Sequence, residues 1–244
     1  MGRLLHSSIQ PGRDWVGRAV VCAVLMVGLL LVGCASGAPN APAAPTVPPA
    51  PTASGDFNAL LAAAQTALDS GNLAAAEQSY RAAVGKNRGS AAAQFGLGNV
   101  LVRSGKLAEA ETAYKAALAA DPGLIAAHAN LGVTYYQMNQ LPKAADEFTA
   151  ALKLNPNDAA TTYLLGAVRL QEKNLAEAEK LLLKARDLDP KLPEVYYGLG
   201  ALYKLKGQKA EAIAAFEKFL EVGPGQDPQA TENARNELKA LKGQ

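Results

Sequence analysis

A period of 34 residues constrains this chain more than any other feature. Leu97-Gly98 returns as Leu131-Gly132, Leu165-Gly166 and Leu199-Gly200. Ala110, Ala144, Ala178 and Ala212 keep the same step, as do Tyr114, Phe148, Leu182 and Phe216, and then Pro122, Pro156, Pro190 and Pro224. A chain that repeats itself at this interval does not close a single round core. Each copy is one supersecondary unit whose apolar face only the next copy can cover, so the copies must stack. Counting back from residue 91 adds a first, degenerate unit, in which Ala63-Ala64 replaces Leu-Gly and Arg88 replaces the proline, while Ala76 and Tyr80 keep their places. The five units are then 57–90, 91–124, 125–158, 159–192 and 193–226.

Within a unit the apolar residues recur at helical spacing on both sides of a break. In the second unit they are Leu97, Val100 and Leu101, then Ser104-Gly105-Lys106, then Ala110, Ala113, Tyr114, Ala117 and Leu118. This predicts a first helix over about fourteen positions and a second over roughly positions 18 to 30. Gly98 and Ala110 are read as small because two antiparallel helices approach there, with Tyr114 filling the wider space beyond. Asp121-Pro122 stops the second helix, since the residue before a proline is pushed out of the α region. Two departures stand out: Arg169 replaces Leu101, Tyr135 and Tyr203, with Val168 and Leu170 beside it to compensate, and Lys209 replaces a leucine. After the last unit, Asp227 and Pro228 read as the cap and first residue of a further helix. Its apolar stripe of Ala230, Ala234, Leu238 and Leu241 is expected to cover the last unit, with Glu232, Arg235, Asn236 and Lys239 facing outward.

The 34-residue pattern over residues 57–241 resembles the tetratricopeptide repeat (TPR). The resemblance implies an all-α protein, a right-handed α-solenoid of five TPR helix pairs with a C-terminal capping helix over 227–244. It also implies that the first helices line a concave groove for a protein or peptide partner. Carrying the family's groove positions onto this chain gives Phe95, Asn99, Arg103, Tyr136, Gln137, Tyr163, Gln171, Tyr197 and Lys204, with Asn130 on the border. The clamp by which some TPR domains hold a C-terminal carboxylate needs lysine and asparagine at the fifth and ninth positions. Here those pairs are Leu61 and Gln65, Phe95 and Asn99, Ala129 and Val133, Tyr163 and Ala167, and Tyr197 and Ala201, so the clamp is absent. For any one aromatic the alternative is packing within the solenoid. His128 is read as a packing residue and Glu111 with Lys115 as a solvated pair.

The N-terminus reads differently. Residues 1–18 are polar and basic, residues 19–32 are an unbroken apolar run, and Leu31-Val32-Gly33-Cys34 closes it. A charged region, an apolar run and a small-residue junction make an export signal. The junction resembles the lipobox of bacterial lipoproteins, which implies a signal peptide over 1–33 and a diacylglycerol thioether on Cys34, with two or more acyl chains giving stable membrane attachment. A plain cleaved signal and an uncleaved helix are the alternatives, because residues 19–38 contain no charge and are just long enough to span a bilayer. Residues 35–56 then turn to Ala, Pro, Ser, Thr and Gly, with six prolines at 39, 42, 45, 48, 49 and 51. That composition has too little apolar bulk to order itself and is expected to be a disordered tether, about 50–70 Å long if fully extended at ~3.1 Å per residue.

Charge and residue usage narrow the function. The net charge of +2 arises in the first 33 residues, and the remainder carries 21 basic and 21 acidic residues. A nucleic-acid partner calls for a basic surplus or stripe, so none is expected. Cys22 and Cys34 are the only cysteines, and His6 and His128 the only histidines. No metal site, cofactor site, small-molecule substrate or catalytic set is therefore expected, and the chain does not read as an enzyme. The expected function is a lipid-anchored scaffold for protein–protein interaction in the bacterial envelope, at the outer membrane facing the periplasm. It resembles the TPR lipoproteins of pilus assembly, type IV or Flp/Tad. The alternative is an adaptor that brings peptidoglycan hydrolases or proteases to their substrates.

Overall fold

A computed structural model describes residues 56–223 and 227–243, and within them all regular secondary structure is α-helix. Cys34, the expected signal peptide and the expected linker up to residue 55 lie outside these residues. The first helices of the units, the A helices, are α1 (Phe57–Asp69), α3 (Ala91–Arg103), α5 (Ile125–Gln137), α7 (Ala159–Gln171) and α9 (Pro193–Leu205). The B helices are α2 (Leu73–Lys86), α4 (Leu107–Ala120), α6 (Leu141–Leu154), α8 (Leu175–Leu188) and α10 (Lys209–Val222), and α11 (Pro228–Lys242) follows. Every A helix starts at the first position of its unit and is 13 residues long, and every B helix has 14.

The turns that separate the paired helices share one backbone solution. The residue at the fifteenth position of each unit has positive φ: Gly71 at 75°, Gly105 at 74°, Asn139 at 57°, Lys173 at 61° and Gly207 at 73°. In each turn the next amide reaches back across six residues, as from Asn174 to the Arg169 carbonyl at 2.9 Å and from Lys106 to that of Leu101 at 2.8 Å. This is a Schellman cap, which satisfies the last carbonyls of the A helix and reverses the chain. The B helices end on Asn87, Asp121, Asn155 and Asp189, all extended. The side-chain oxygens of these residues accept the amide two positions on, from Gly89 at 3.1 Å, Gly123 at 3.0 Å, Asn157 at 3.4 Å and Lys191 at 2.9 Å. The prolines thus share the stop with an Asx turn, and the turn also ends the first unit, where Arg88 stands in place of proline.

The glycine of each Leu-Gly pair serves a side chain rather than a bare backbone approach. A Cβ on Gly98 would lie 2.5 Å from the Tyr114 ring, on Gly132 2.6 Å from Phe148, and on Gly200 2.7 Å from Phe216. Tyr114 therefore lies directly over Gly98 and not in a space beyond it. In the fourth unit the covering residue is the smaller Leu182, and Gly166 has 3.2 Å of clearance. The alanines Ala76, Ala110, Ala144, Ala178 and Ala212 are fully buried, as are Phe148, Leu182 and Phe216. Arg169 lies partly exposed with its guanidinium 2.7 Å from Glu172, while Val168 and Leu170 are buried beside it. The last helix packs Ala230, Ala234, Leu238 and Leu241 on Tyr196, Tyr197, Phe216 and Phe219, and leaves Glu232, Arg235, Asn236 and Lys239 exposed. Asp227 caps it by accepting from the amides of Gln229 at 2.9 Å and Ala230 at 3.0 Å.

Candidate functional site

The A helices form the inner layer of the stack: α3 touches α5, α5 touches α7, and α7 touches α9. Their free faces are the concave side, and the ten residues expected there divide into three groups.

Arg103 is exposed, and Phe95, Asn99, Asn130, Gln137 and Gln171 are half-buried. Phe95 leans on Tyr114 with ring centroids 6.0 Å apart. Asn99 has an internal task. Its side-chain oxygen accepts from the Tyr114 hydroxyl and from the Asn130 amide, both at 2.8 Å. The first unit repeats the arrangement, with the Tyr80 hydroxyl donating to Gln65 at 3.3 Å. Units whose covering residue is Phe148, Leu182 or Phe216 have Val133, Ala167 or Ala201 where the amide would stand. The amide at the ninth position is thus present where a tyrosine hydroxyl must be satisfied, since an unpaired buried hydroxyl is costly.

Tyr136, Tyr163 and Tyr197 correct the expectation of an exposed aromatic groove. Their exposures are 5%, 1% and 4%, so the rings are core. Tyr163 lies between α7 and α9, with a ring carbon 3.4 Å from where a Cβ on Gly198 would be. Tyr197 meets Phe216 and Phe219 edge-on at 5.7 and 5.4 Å. Removing either ring is an experiment on folding. Lys204 is also engaged: its ammonium lies 2.6 Å from Glu237 of α11, so the capping helix takes the charge that was expected to face a partner. The same reasoning passed over Leu205, which is exposed next to it.

The hydroxyl of Tyr136 is buried and has no hydrogen-bond partner. One carboxylate oxygen each of Glu194 and Asp227 shares that condition, as do the side-chain nitrogen of Gln137 and oxygen of Gln171. Burial raises the pKa of Tyr136 well above its ordinary value. Tyr163 is raised too, first by burial and then by the neighbouring Glu194, Tyr136, Tyr197 and Asp227. Tyr197 is raised by burial, offset in part by the nearby Asn233 side chain. The Glu194 carboxyl is pushed up by burial and by Asp227 and Asp189. Glu194 was not singled out from sequence, although it occupies the second position, a groove position, where the other units have Asn58, Ala92, Ala126 and Ala160.

His128 lies half-buried between α5 and α6, its Nδ1 2.7 Å from Glu147. The Glu111–Lys115 pair, at 2.7 Å, also holds the Tyr135 hydroxyl, which donates to Glu111 at 3.1 Å and so ties α5 to α4.

Similar solved structures share this architecture. A tetratricopeptide repeat protein from Parabacteroides merdae superposes with a TM-score of 0.67 at 25% identity, over 77% of this chain and 73% of that one. YrrB, described as a TPR protein with an unusual peptide-binding site, gives 0.61 at 24% identity over 74% and 92%. The pilF protein of Pseudomonas aeruginosa gives 0.63 at 22% over 76% and 88%. No match is found among curated proteins. Models of the tetratricopeptide repeat match residues 61–125, 130–193 and 193–226, and the chain belongs to the tetratricopeptide repeat family.

Proposed function

We propose that the chain is a lipid-anchored docking scaffold that holds a segment of a partner protein on its concave face in the bacterial envelope. The observation that carries the docking role is the set of buried polar atoms without partners on the A helices, at Tyr136, Gln137, Gln171 and Glu194. Such atoms are costly to leave unpaired, and a bound segment would supply the missing bonds. YrrB, of the same fold, is a peptide binder by its description.

The anchor rests on Leu31-Val32-Gly33-Cys34 at the end of the apolar run. Replacing Cys34 by Ala is expected to abolish palmitate labelling and release the chain from membranes, and continued labelling would rule the anchor out. Trp15 is the only tryptophan, so chain recovered from the envelope is expected to show no tryptophan emission once its signal is removed. Within the scaffold class we favour pilus assembly, on the expected anchor together with the fold shared with pilF.

The docking role is tested by placing a photocrosslinking residue at Arg103, on the concave side, or at Lys180, on the outer face of α8, in living cells. A partner trapped from Arg103 and not from Lys180 is expected. Equal trapping from both, or none from Arg103, overturns the groove. Loss of piliation with unchanged cell-wall hydrolysis on deletion is expected; the reverse would favour the hydrolase or protease adaptor.

A further inference from the structure

The concave face changes character along its length. Its N-terminal part is lined by amides: Gln65 accepts from the Tyr80 hydroxyl, and Asn99 accepts from the Tyr114 hydroxyl and the Asn130 amide. Its C-terminal part collects acids and phenols from four successive elements: Tyr136 on α5, Tyr163 on α7, Glu194 and Tyr197 on α9, and Asp227 ahead of α11. The groups acting on the Tyr163 hydroxyl through their charge or potential charge are Glu194, Tyr136, Tyr197 and Asp227, with no base among them. The lysine of the groove series, Lys204, is held by Glu237. The rings of Tyr136 and Tyr197 are more than nine-tenths buried; the Tyr136 hydroxyl has no partner, and neither does one oxygen of each carboxylate. As whole residues Glu194 and Asp227 are half-buried.

We propose that this C-terminal cluster, between α5, α7, α9 and the start of α11, receives a cationic side chain, lysine or arginine, of the docked partner segment. The proposal rests on the docking role above and adds the chemistry of the occupant. An ammonium or guanidinium offers several donors and one positive charge, which matches one unpaired oxygen on each of two carboxylates and the unpaired Tyr136 phenol oxygen. Water could satisfy the hydroxyls and would leave the acidic charge uncompensated. A metal ion fits less well, because the described residues contain no group of three or more His, Cys, Asp or Glu side chains able to hold one. The arrangement reverses the charge of a carboxylate clamp. Where a clamp would present lysine, this face presents acid, so it selects a partner's basic residue and rejects its acidic end.

The test uses the purified full chain and four pools of synthetic 12-residue peptides, random except for a central Lys, Arg, Gln or Glu, with affinity read by fluorescence anisotropy. The Lys and Arg pools are expected to bind at least about tenfold tighter than the Gln and Glu pools, and comparing the first two separates ammonium from guanidinium. Glu194→Gln with Asp227→Asn is expected to lower the Lys and Arg pools to the affinity of the Gln pool, with α11 still folded because asparagine at 227 keeps its cap. Tyr136→Phe is expected to weaken the preference and raise the melting temperature, because it removes a buried hydroxyl that only the ligand satisfies. Four pools that bind alike, or a preference that survives the double variant, overturn the cation site and leave the groove standing. No binding of any pool to the folded chain overturns both.

Discussion

At the scale of single residues, the chain separates groups that stabilise the fold from groups the fold tolerates. Asn99 belongs to the first kind, because it satisfies the buried Tyr114 hydroxyl. Asn99→Ala is expected to cost about 1–3 kcal/mol in urea unfolding, and adding Tyr114→Phe to recover much of it, as in the units that have phenylalanine or leucine at that place. Gly98→Val is expected to cost about 1–3 kcal/mol, since its Cβ alone would stand 2.5 Å from the Tyr114 ring. Glu194 is of the second kind. Its carboxyl is raised above the ordinary 4.5 by burial and by acidic neighbours, so the folded state disfavours its ionised form. That penalty is absent below the unfolded value and grows as pH rises through the folded one. Glu194→Gln is therefore expected to raise the melting temperature at pH 7, with the gain vanishing as pH falls toward 4.5. A gain that persists in acid would locate the effect elsewhere. The role of Asn99 was not legible from its position alone, because the family's ninth position is a groove position and the tyrosine it serves lies 15 residues on.

The helices themselves follow from local rules applied five times over. A left-handed residue and a six-residue return bond end each A helix, and an extended residue with an Asx turn ends the B helices of the first four units. Glycine occupies three of the five left-handed positions, while Asn139 and Lys173 occupy the others. Lysine has no local bond to offset the crowding of its Cβ there. Lys173→Gly is expected to stabilise the chain by about 0.5–1 kcal/mol, read as a shift in the denaturation midpoint, whereas the same change at exposed Lys180, inside α8, is expected to destabilise by about that amount. The Ser-Gly-Lys break at residues 104–106 was visible in sequence as a break. Its uniform geometry was less so, because Asn139 and Lys173 reach by tertiary constraint a conformation that glycine reaches freely.

For the whole molecule, the stack is one-dimensional and its last face needs a cover. The last helix supplies it by burying Ala230 and Ala234 against Tyr197, Phe216 and Phe219, and by drawing Lys204 into an ion pair. Ending the chain after Gly223 is expected to cost on the order of 3 kcal/mol or more, from partial exposure of those aromatics, and to promote self-association measurable by light scattering. An unchanged melt would mean that the fifth unit caps itself. The sequence by itself determined the repeat length, the number of units, the pairing of helices and the capping helix, since each follows from spacing and from residues that act on their near neighbours. The tertiary structure alone decided which side chains of the A helices are core. Tyr136, Tyr163 and Tyr197 stand at groove positions, and only the packing between units shows that their rings are core while the hydroxyl of Tyr136 is left unpaired. The physical reason is that burial in a solenoid is settled between units, by residues one or two periods apart, and no local pattern records how closely those units approach.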